Sequence, residues 1–125
     1  MRIYISHPRA SDFENELYAP IREHFSESGH EFILPHEHGN DEETKSVIPT
    51  CDLLIAEVSK PATGVGIELG RAEAAGIPIE CICHTGNIPS SSLDRLVDEI
   101  HEYDSKESML TLFKTIIEKH DLNCN

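Results

Sequence analysis

The segment that most constrains the fold is Asp52-Leu53-Leu54-Ile55-Ala56-Glu57-Val58, a near-continuous apolar run that ends at Ser59-Lys60-Pro61. A strand with one solvated face alternates apolar and polar residues, whereas a continuous run marks a central parallel strand covered on both faces. Parallel pairing needs a crossover long enough to hold a helix. One follows at once: Gly64-Val65-Gly66 opens a helix through Ile67, Leu69, Ala72 and Ala75, and Gly76 stops it.

The rest of the chain repeats this alternation. Arg2 to Ser6 reads as a first strand. Phe13, Leu17, Ile21 and Phe25 then recur along one helix face, giving a helix from about Asp12 to Ser28 with Ser11 as N-cap and Gly29 as its stop. Pro20 kinks or splits that helix. His30 to Leu34 forms a short second strand closed by Pro35, and the polar stretch from His36 to Glu43 leads into a short helix that Pro49 ends. Ile77 to Cys83 makes a fourth strand, and Pro89-Ser90-Ser91-Ser92 starts a short helix through Leu93 and Leu96. Glu99 to Tyr103 reads as a fifth strand, in competition with one continuous helix from Ser91 to Tyr103. Ser105 caps a last helix to Lys119. Such alternation predicts an α/β fold of three layers, a five-stranded parallel sheet with helices on both faces. The 125 residues fit a single domain over 1–125.

Charge limits the partners. With 10 Lys+Arg against 23 Asp+Glu the formal net charge is −13, and the basic residues form no patch in sequence. The surplus repels polynucleotides and anionic membranes, so neither is an expected partner, but one or two cations and a helix N-terminus suffice for a small-molecule phosphate. No apolar run approaches the roughly 20 residues of a membrane span, and no charged-then-apolar leader precedes the first strand, so the expected location is cytoplasmic. Cys51, Cys81 and Cys83 fall in or beside apolar stretches and read as reduced, buried thiols. His36-x-His38 with Asp41 and Glu42, and Cys81-x-Cys83-His84, lack the paired spacing of a zinc site, so no metal and no cofactor is expected.

In an open α/β sheet, ligands bind beyond the carboxyl ends of the strands. Three segments arrive there: Ser6-His7-Pro8-Arg9, Val58 to Glu68, and His84 to Ser92. The glycines Gly64 and Gly66 allow close backbone approach to a ligand and set Glu68 in the first turn of a helix. A carboxylate there is stabilised by the helix dipole, which serves a nucleophile and a purely structural residue equally. Arg9 reads as an anion ligand or a solvated side chain, and Ser90-Ser91-Ser92 as a ligand group or an N-cap. Gly64-Val65-Gly66 lacks the third glycine of a dinucleotide fingerprint.

Gly-Val-Gly-Ile-Glu-Leu-Gly-Arg-Ala behind Asp-Leu-Leu-Ile-Ala-Glu-Val-Ser-Lys-Pro resembles the central motif of the nucleoside 2-deoxyribosyltransferase family, which includes the deoxynucleoside 5′-monophosphate N-glycosidases. Close similarity spans about Asp52 to Ile79, and the strand and helix order matches throughout. The resemblance implies a flavodoxin-like or Rossmann-like strand order 2-1-3-4-5. It also implies cleavage or transfer at the N-glycosidic bond of a nucleoside or nucleoside 5′-monophosphate, with Glu68 attacking the anomeric carbon to form a glycosyl-enzyme intermediate. Tyr4 matches a family aromatic in the first strand. The implied substrate-binding set is Tyr4, Ser6, His7, Arg9, Thr63, Gly64, Gly66, Ser90, Ser91 and Ser92.

Two positions and one loop depart from the family, the loop being Ser6-His7-Pro8-Arg9-Ala10-Ser11, which replaces a glycine-containing one after the first strand. Ala62 stands where relatives carry Asp or a phosphate-binding Ser, with Thr63 beside it as a substitute hydroxyl. Thr44 stands where the glycosidases carry an Asp near the sugar and base, leaving Asp41, Glu42 or Glu43 as candidates for proton handling. The family also implies a homodimer or higher homo-oligomer in which the serine-bearing helix start reaches a neighbour's site. The departures at Ala62 and Thr44 favour, as the competing reading, a nucleotide-binding or sensing protein of the same fold with weak or no catalysis. A receiver-like module is disfavoured because the first strand ends in no acidic triad.

Overall fold

A computed structural model describes residues 1–37 and 44–123, the last two by backbone alone. Five parallel strands, β1 (Arg2–Ser6), β2 (Glu31–Ile33), β3 (Leu53–Glu57), β4 (Ile79–His84) and β5 (Ile100–Tyr103), lie in the order β2-β1-β3-β4-β5. The expected α/β fold and strand order are both found. The helices are α1 (Ala19–Phe25), α2 (Thr44–Val47), α3 (Thr63–Ala75) and α4 (Lys106–Asn123).

The alternation of side chains along the strands builds two cores. Ile3, Ile5, Leu53, Ile55 and Ile82 pack with Ile21, Phe25, Met109, Phe113 and Ile116 on the α1 and α4 side. Tyr4, Leu54, Ala56, Cys81 and Cys83 pack with Val65, Leu69 and Ala72 of α3 on the other. The continuous apolar run of β3 is thus divided by parity between two helix layers. Cys51, Cys81 and Cys83 are free and buried, and burial pushes the Cys81 thiol up to about 11, which keeps it protonated and inert.

Several boundaries differ from the sequence reading. The first helix does not run from Asp12 to Ser28. A π-helical turn over Glu14–Tyr18 precedes α1, with the Ala19 N–H bonded to the Glu14 carbonyl. Pro20 explains it: the ring has no N–H and crowds the carbonyl one turn back, and a widened turn absorbs both without a break. Ser11 does not cap, since its hydroxyl donates to the Pro8 carbonyl at 2.8 Å. Gly29, at φ 83°, turns the chain after α1 has ended. β2 is shorter than His30 to Leu34, and β4 starts at Ile79 rather than Ile77.

Between Ser91 and Tyr103 the two-element reading holds: a 3₁₀ turn at Ser91–Arg95 is separate from β5. Ser105 caps α4, accepting the Ser108 N–H at 3.0 Å. Gly76, at φ 73°, closes α3 as a left-handed C-cap with its N–H on the Ala72 and Glu73 carbonyls.

Candidate active site

β1 and β3 pair so that Tyr4 sits opposite Leu54 and Ser6 opposite Ala56, on the sheet face that α3 covers. α3 packs on β1 as well as on β3 and β4, which brings Glu68 over β1. There the Tyr4 hydroxyl donates to Glu68 Oε2, and the Ser6 hydroxyl donates to Oε1 at 2.7 Å. Tyr4 is fully buried, and burial first, then the hydrogen bond to Glu68, pushes its phenol far above the ordinary range. It therefore stays a donor at any physiological pH.

Glu68 is not in the first helical turn. Ala62 is the N-cap with extended backbone, and both glycines lie inside α3, which puts Glu68 in the second turn. The dipole contribution fades beyond the first turn, so the hydroxyls of Tyr4 and Ser6 take over the role assigned to it. Neither Gly64 nor Gly66 has a positive φ, and a Cβ on either would meet no atom within 4 Å. Packing of the chain does not demand glycine at either place, although each weakens the helix relative to alanine.

The turn between β3 and α3 is fixed by Glu57. Its carboxylate accepts the Ser59 N–H and hydroxyl, both at 2.7 Å, and the Tyr103 hydroxyl, while the Ser59 Oγ accepts the His84 N–H at 2.8 Å. This network ties β3, β4 and β5 at their carboxyl ends and aims the start of α3. Ala62 at the N-cap offers no side-chain cap, and among the described residues the first N–H groups of α3 remain available as donors.

His7 braces the opposite wall. The His36 N–H donates to the Tyr18 hydroxyl at 3.1 Å, so the hydroxyl proton points to His7 Nε2 at 2.6 Å, leaving Nδ1–H to donate to the Pro8 carbonyl at 3.1 Å. The ring is neutral in this arrangement. Burial lowers its pKa, and the Arg9 and His36 charges add to that against the Pro8 hydrogen bond. Phe13, Tyr18 and His36 stack around it with centroids 4.5, 5.1 and 5.4 Å away.

Between these walls lies a cavity of about 730 Å³, lined among others by His7, Arg9, Thr63, Gly64 and Glu68. Tyr4 and Ser6 reach it through Glu68. Arg9 Nη2 is 3.5 Å from His36 Nδ1 at the rim. Ser90 and Ser92 line a neighbouring groove of about 440 Å³ that shares Lys60, Pro61, Ala62, Thr63 and Val65 with the cavity, and Gly66 lies there too. The Ser90 hydroxyl caps the 3₁₀ turn, accepting the Ser92 N–H at 3.3 Å, and Ser91 is exposed. Asp41, Glu42 and Glu43 fall outside the described residues. Thr44, which stands where relatives carry an Asp, lines the cavity, and so do Lys60 and Arg71, which the sequence does not single out. Arg71 was open to inference, because a residue three beyond Glu68 on a helix shares its face.

A parallel α/β sheet with a hydroxyl-held carboxylate and several cations around a cavity at its carboxyl edge is the frame of an enzyme or binding protein for small anionic molecules. No family model matches the chain. In sequence it is 40% identical over 78 residues to the putative 2′-deoxynucleoside 5′-phosphate N-hydrolase 1 of Syntrophotalea carbinolica, covering 58% of this chain and 54% of that protein. It is 41% identical over 63 residues to the protein of the same name from Methanosarcina mazei, covering 46% and 38%. It is also 58% identical over 31 residues to the 5-hydroxymethyl-dUMP N-hydrolase of Rattus norvegicus, covering 25% and 19%. The chain thus spans about half or less of the length of these curated relatives. In fold it is similar to the CMP N-glycosidase BcmB of Clostridium botulinum, with a TM-score of 0.67, 21% identity, and coverage of 91% of this chain and 99% of that one. Together these likenesses support the family that the central motif suggests. In sequence the chain is similar to proteins named as nucleotide N-hydrolases, and in fold to a CMP N-glycosidase.

Proposed function

We propose that this chain cleaves the N-glycosidic bond of a nucleoside 5′-monophosphate, with Glu68 as the nucleophile. The observation that carries the reading is the Glu68 carboxylate itself, held through both oxygens by Tyr4 and Ser6 on the wall of a cavity. Each oxygen uses one lone pair on a hydroxyl and keeps another for bond formation. Fixing the carboxylate removes the rotational freedom that attack would otherwise have to freeze out.

The reading of the substrate as a phosphate ester rests on charge. In a chain of net charge −13, Arg9, Lys60 and Arg71 line this one cavity. Lys60 lies just before the uncapped N-terminus of α3, where backbone N–H groups and the helix dipole favour an anion. Gly64 leaves the backbone there uncovered, in keeping with close approach by a phosphate. Thr63 adds a hydroxyl where Ala62 supplies none.

In this mechanism a Glu68 oxygen bonds to C1′ as the C1′–N bond breaks and its electron pair passes to the base. Water then adds to C1′, the ester bond to Glu68 breaks, and the proton lost by the water passes to the base. Two displacements at C1′ give retention, as in a retaining glycosidase. Hydrolysis is the outcome supported by the names of the sequence relatives.

The test is incubation with nucleosides and their 5′-monophosphates, followed by chromatography for free base and sugar phosphate, with a labelled second base present. Release of base from monophosphates is expected. Appearance of label in a new nucleotide makes the protein a transferase. Tight binding without release makes it a nucleotide-binding protein and ends the enzymatic reading.

A further inference from the structure

Tyr18 ends the π-helical turn, is 5% exposed and does not itself line the cavity. A buried ring needs no hydroxyl in order to pack, and a buried hydroxyl costs stability unless it is matched. This one is matched on two sides. It donates to His7 Nε2 at 2.6 Å and accepts the His36 N–H at 3.1 Å, so a single oxygen joins the loop after β1 to the loop after β2. Burial keeps the phenol protonated, against the pull of the His36 N–H and with the Glu68 charge in support.

Both loops form cavity wall, His7 and Arg9 from the first, Pro35 and His36 from the second. The Arg9 side chain leans on their junction, donating from Nη2 to His36 Nδ1 at 3.5 Å. Arg22 follows Tyr18 by four residues and so shares its helix face. It grips the second loop again: Nε and Nη2 donate to the two Glu37 carboxylate oxygens at 2.7 and 2.6 Å, and Nη2 also donates to the Phe32 carbonyl at 3.3 Å. The helix thus holds the loop after β2, and His36 of that loop holds Arg9.

We propose that Tyr18 is a positioning residue of this site, its hydroxyl fixing the two loops so that the Arg9 guanidinium is aimed at the 5′-phosphate. This rests on the reading of the cavity as the seat of a nucleoside 5′-monophosphate. An arginine side chain that is already oriented loses less rotamer freedom when it binds an anion than one that is not. The phosphate keeps its contact while the glycosidic bond breaks, so this gain is common to ground state and transition state and shows in KM rather than in kcat. Two buried tyrosines thereby divide the site: Tyr4 holds the carboxylate, and Tyr18 holds the wall that carries Arg9.

The experiment compares the full chain with Tyr18→Phe, Arg9→Ala and the double variant, on the nucleoside 5′-monophosphate that the wild type turns over fastest and on the matching free nucleoside, beside thermal melts. Tyr18→Phe is expected to raise KM for the monophosphate about three- to tenfold, the worth of one or two uncharged hydrogen bonds, with kcat and the nucleoside KM changed less than about twofold. In the Arg9→Ala background the same substitution should add nothing, because no guanidinium is left to orient. Full additivity of the two substitutions, a fall in kcat, or an equal loss on the free nucleoside overturns the proposal and leaves the hydroxyl a stabiliser of the fold alone. If Tyr18→Phe does not fold, Arg22→Gln decides, since this more exposed side chain holds the same loop and should give the same KM effect and the same coupling to Arg9. A wild type that binds the monophosphate without releasing base ends the enzymatic reading, and the dissociation constant then takes the place of KM with the same expectations. A wild type that does not bind it refutes the substrate reading and this inference together, whereas one that binds it equally well with and without the Tyr18 hydroxyl refutes this inference alone.

Discussion

Tyr4 and Glu68 lie 64 residues apart in the chain and are joined by a hydrogen bond from the Tyr4 hydroxyl to Glu68 Oε2. Parallel pairing of β1 beside β3 and the return of α3 across both strands create this contact, and neither segment could make it alone. Tyr4→Phe keeps the buried ring and removes one donor. A hydrogen bond to a charged group contributes about 1.5–3 kcal/mol, so kcat should fall roughly 10- to 100-fold with KM nearly unmoved. Steady-state kinetics beside a thermal melt checks this. A full-activity Tyr4→Phe protein would show that the hydroxyl only packs.

Arg9 stands at the cavity rim near His36, in the loop that follows β1. If its guanidinium holds the 5′-phosphate, Arg9→Ala should raise KM for a monophosphate by about 10- to 100-fold, the loss of one charged hydrogen bond, and leave KM for the free nucleoside unchanged. Competition between the two substrates gives the measurement. A parallel rise for both would make Arg9 a structural residue of the loop.

Long-range pairing decides how much of this was legible in the sequence. The β3 run and the α3 periodicity depend on local apolar spacing, and both elements fall where that spacing puts them. Glu68 stood out through its motif, but its partner Ser6 sits across the sheet, and only the register of Ser6 opposite Ala56 shows the pairing. The exact start of α3 has no such signal: the glycines suggest a first-turn Glu68, whereas the helix already begins at Thr63 and Glu68 lies in its second turn. The π turn before Pro20 has no periodic signal, since it is one widened turn within an otherwise regular pattern. Arg71 shares a helix face with Glu68 by spacing, but spacing alone does not mark a helical arginine as part of a site. Only burial of its Nε sets it apart.

His7 gives the site wall a pH dependence. Burial holds its pKa below the ordinary 6.5, so as pH falls the unfolded chain binds the proton first. Stability is therefore full above about 6.5 and declines from there down to the folded-state pKa. His7→Asn, which does not titrate, should show a flatter change in urea midpoint between pH 7.5 and 5 than the wild type. Identical slopes would sink the assignment.

A second titration lies at the other end of the sheet. Glu80, 7% exposed, accepts from His120 Nε2 at 2.8 Å and Lys119 Nζ at 3.1 Å, with His101 Nε2 at 3.4 Å. Burial works to raise its pKa, but these partners outweigh it and hold the carboxyl below the ordinary 4.5. The sign is opposite in origin and lower in window: the stabilisation is complete above about 4.5 and is lost as pH falls through the folded-state value. Glu80→Gln should cost about 1–3 kcal/mol at pH 7, and the difference from wild type should shrink below pH 4. A constant difference across that range in chemical denaturation would rule the ionised form out as the cause.

Association is the last expectation, and Ser90 to Ser92 are its reporters. Within one chain Ser90 and Ser92 line a groove that adjoins the cavity but does not include Glu68, Arg9 or Arg71. A second chain offering its own serine turn across the cavity mouth would give them a part in the site. Ile67 and Ile88, exposed by 51% and 88%, are apolar surface near the two segments that such contact would cover. Two chains of net charge −13 repel, but the repulsion is screened over about 10 Å in moderate salt, and a self-complementary two-fold contact is the commonest route to assembly. Sedimentation at micromolar concentration in moderate salt should therefore show at least a dimer. Ile88→Asp should shift it toward monomer and lower kcat/KM in step. A monomeric wild type that still releases base would mean that one chain completes the site, and Ser90 would keep only its capping hydrogen bond to the Ser92 N–H.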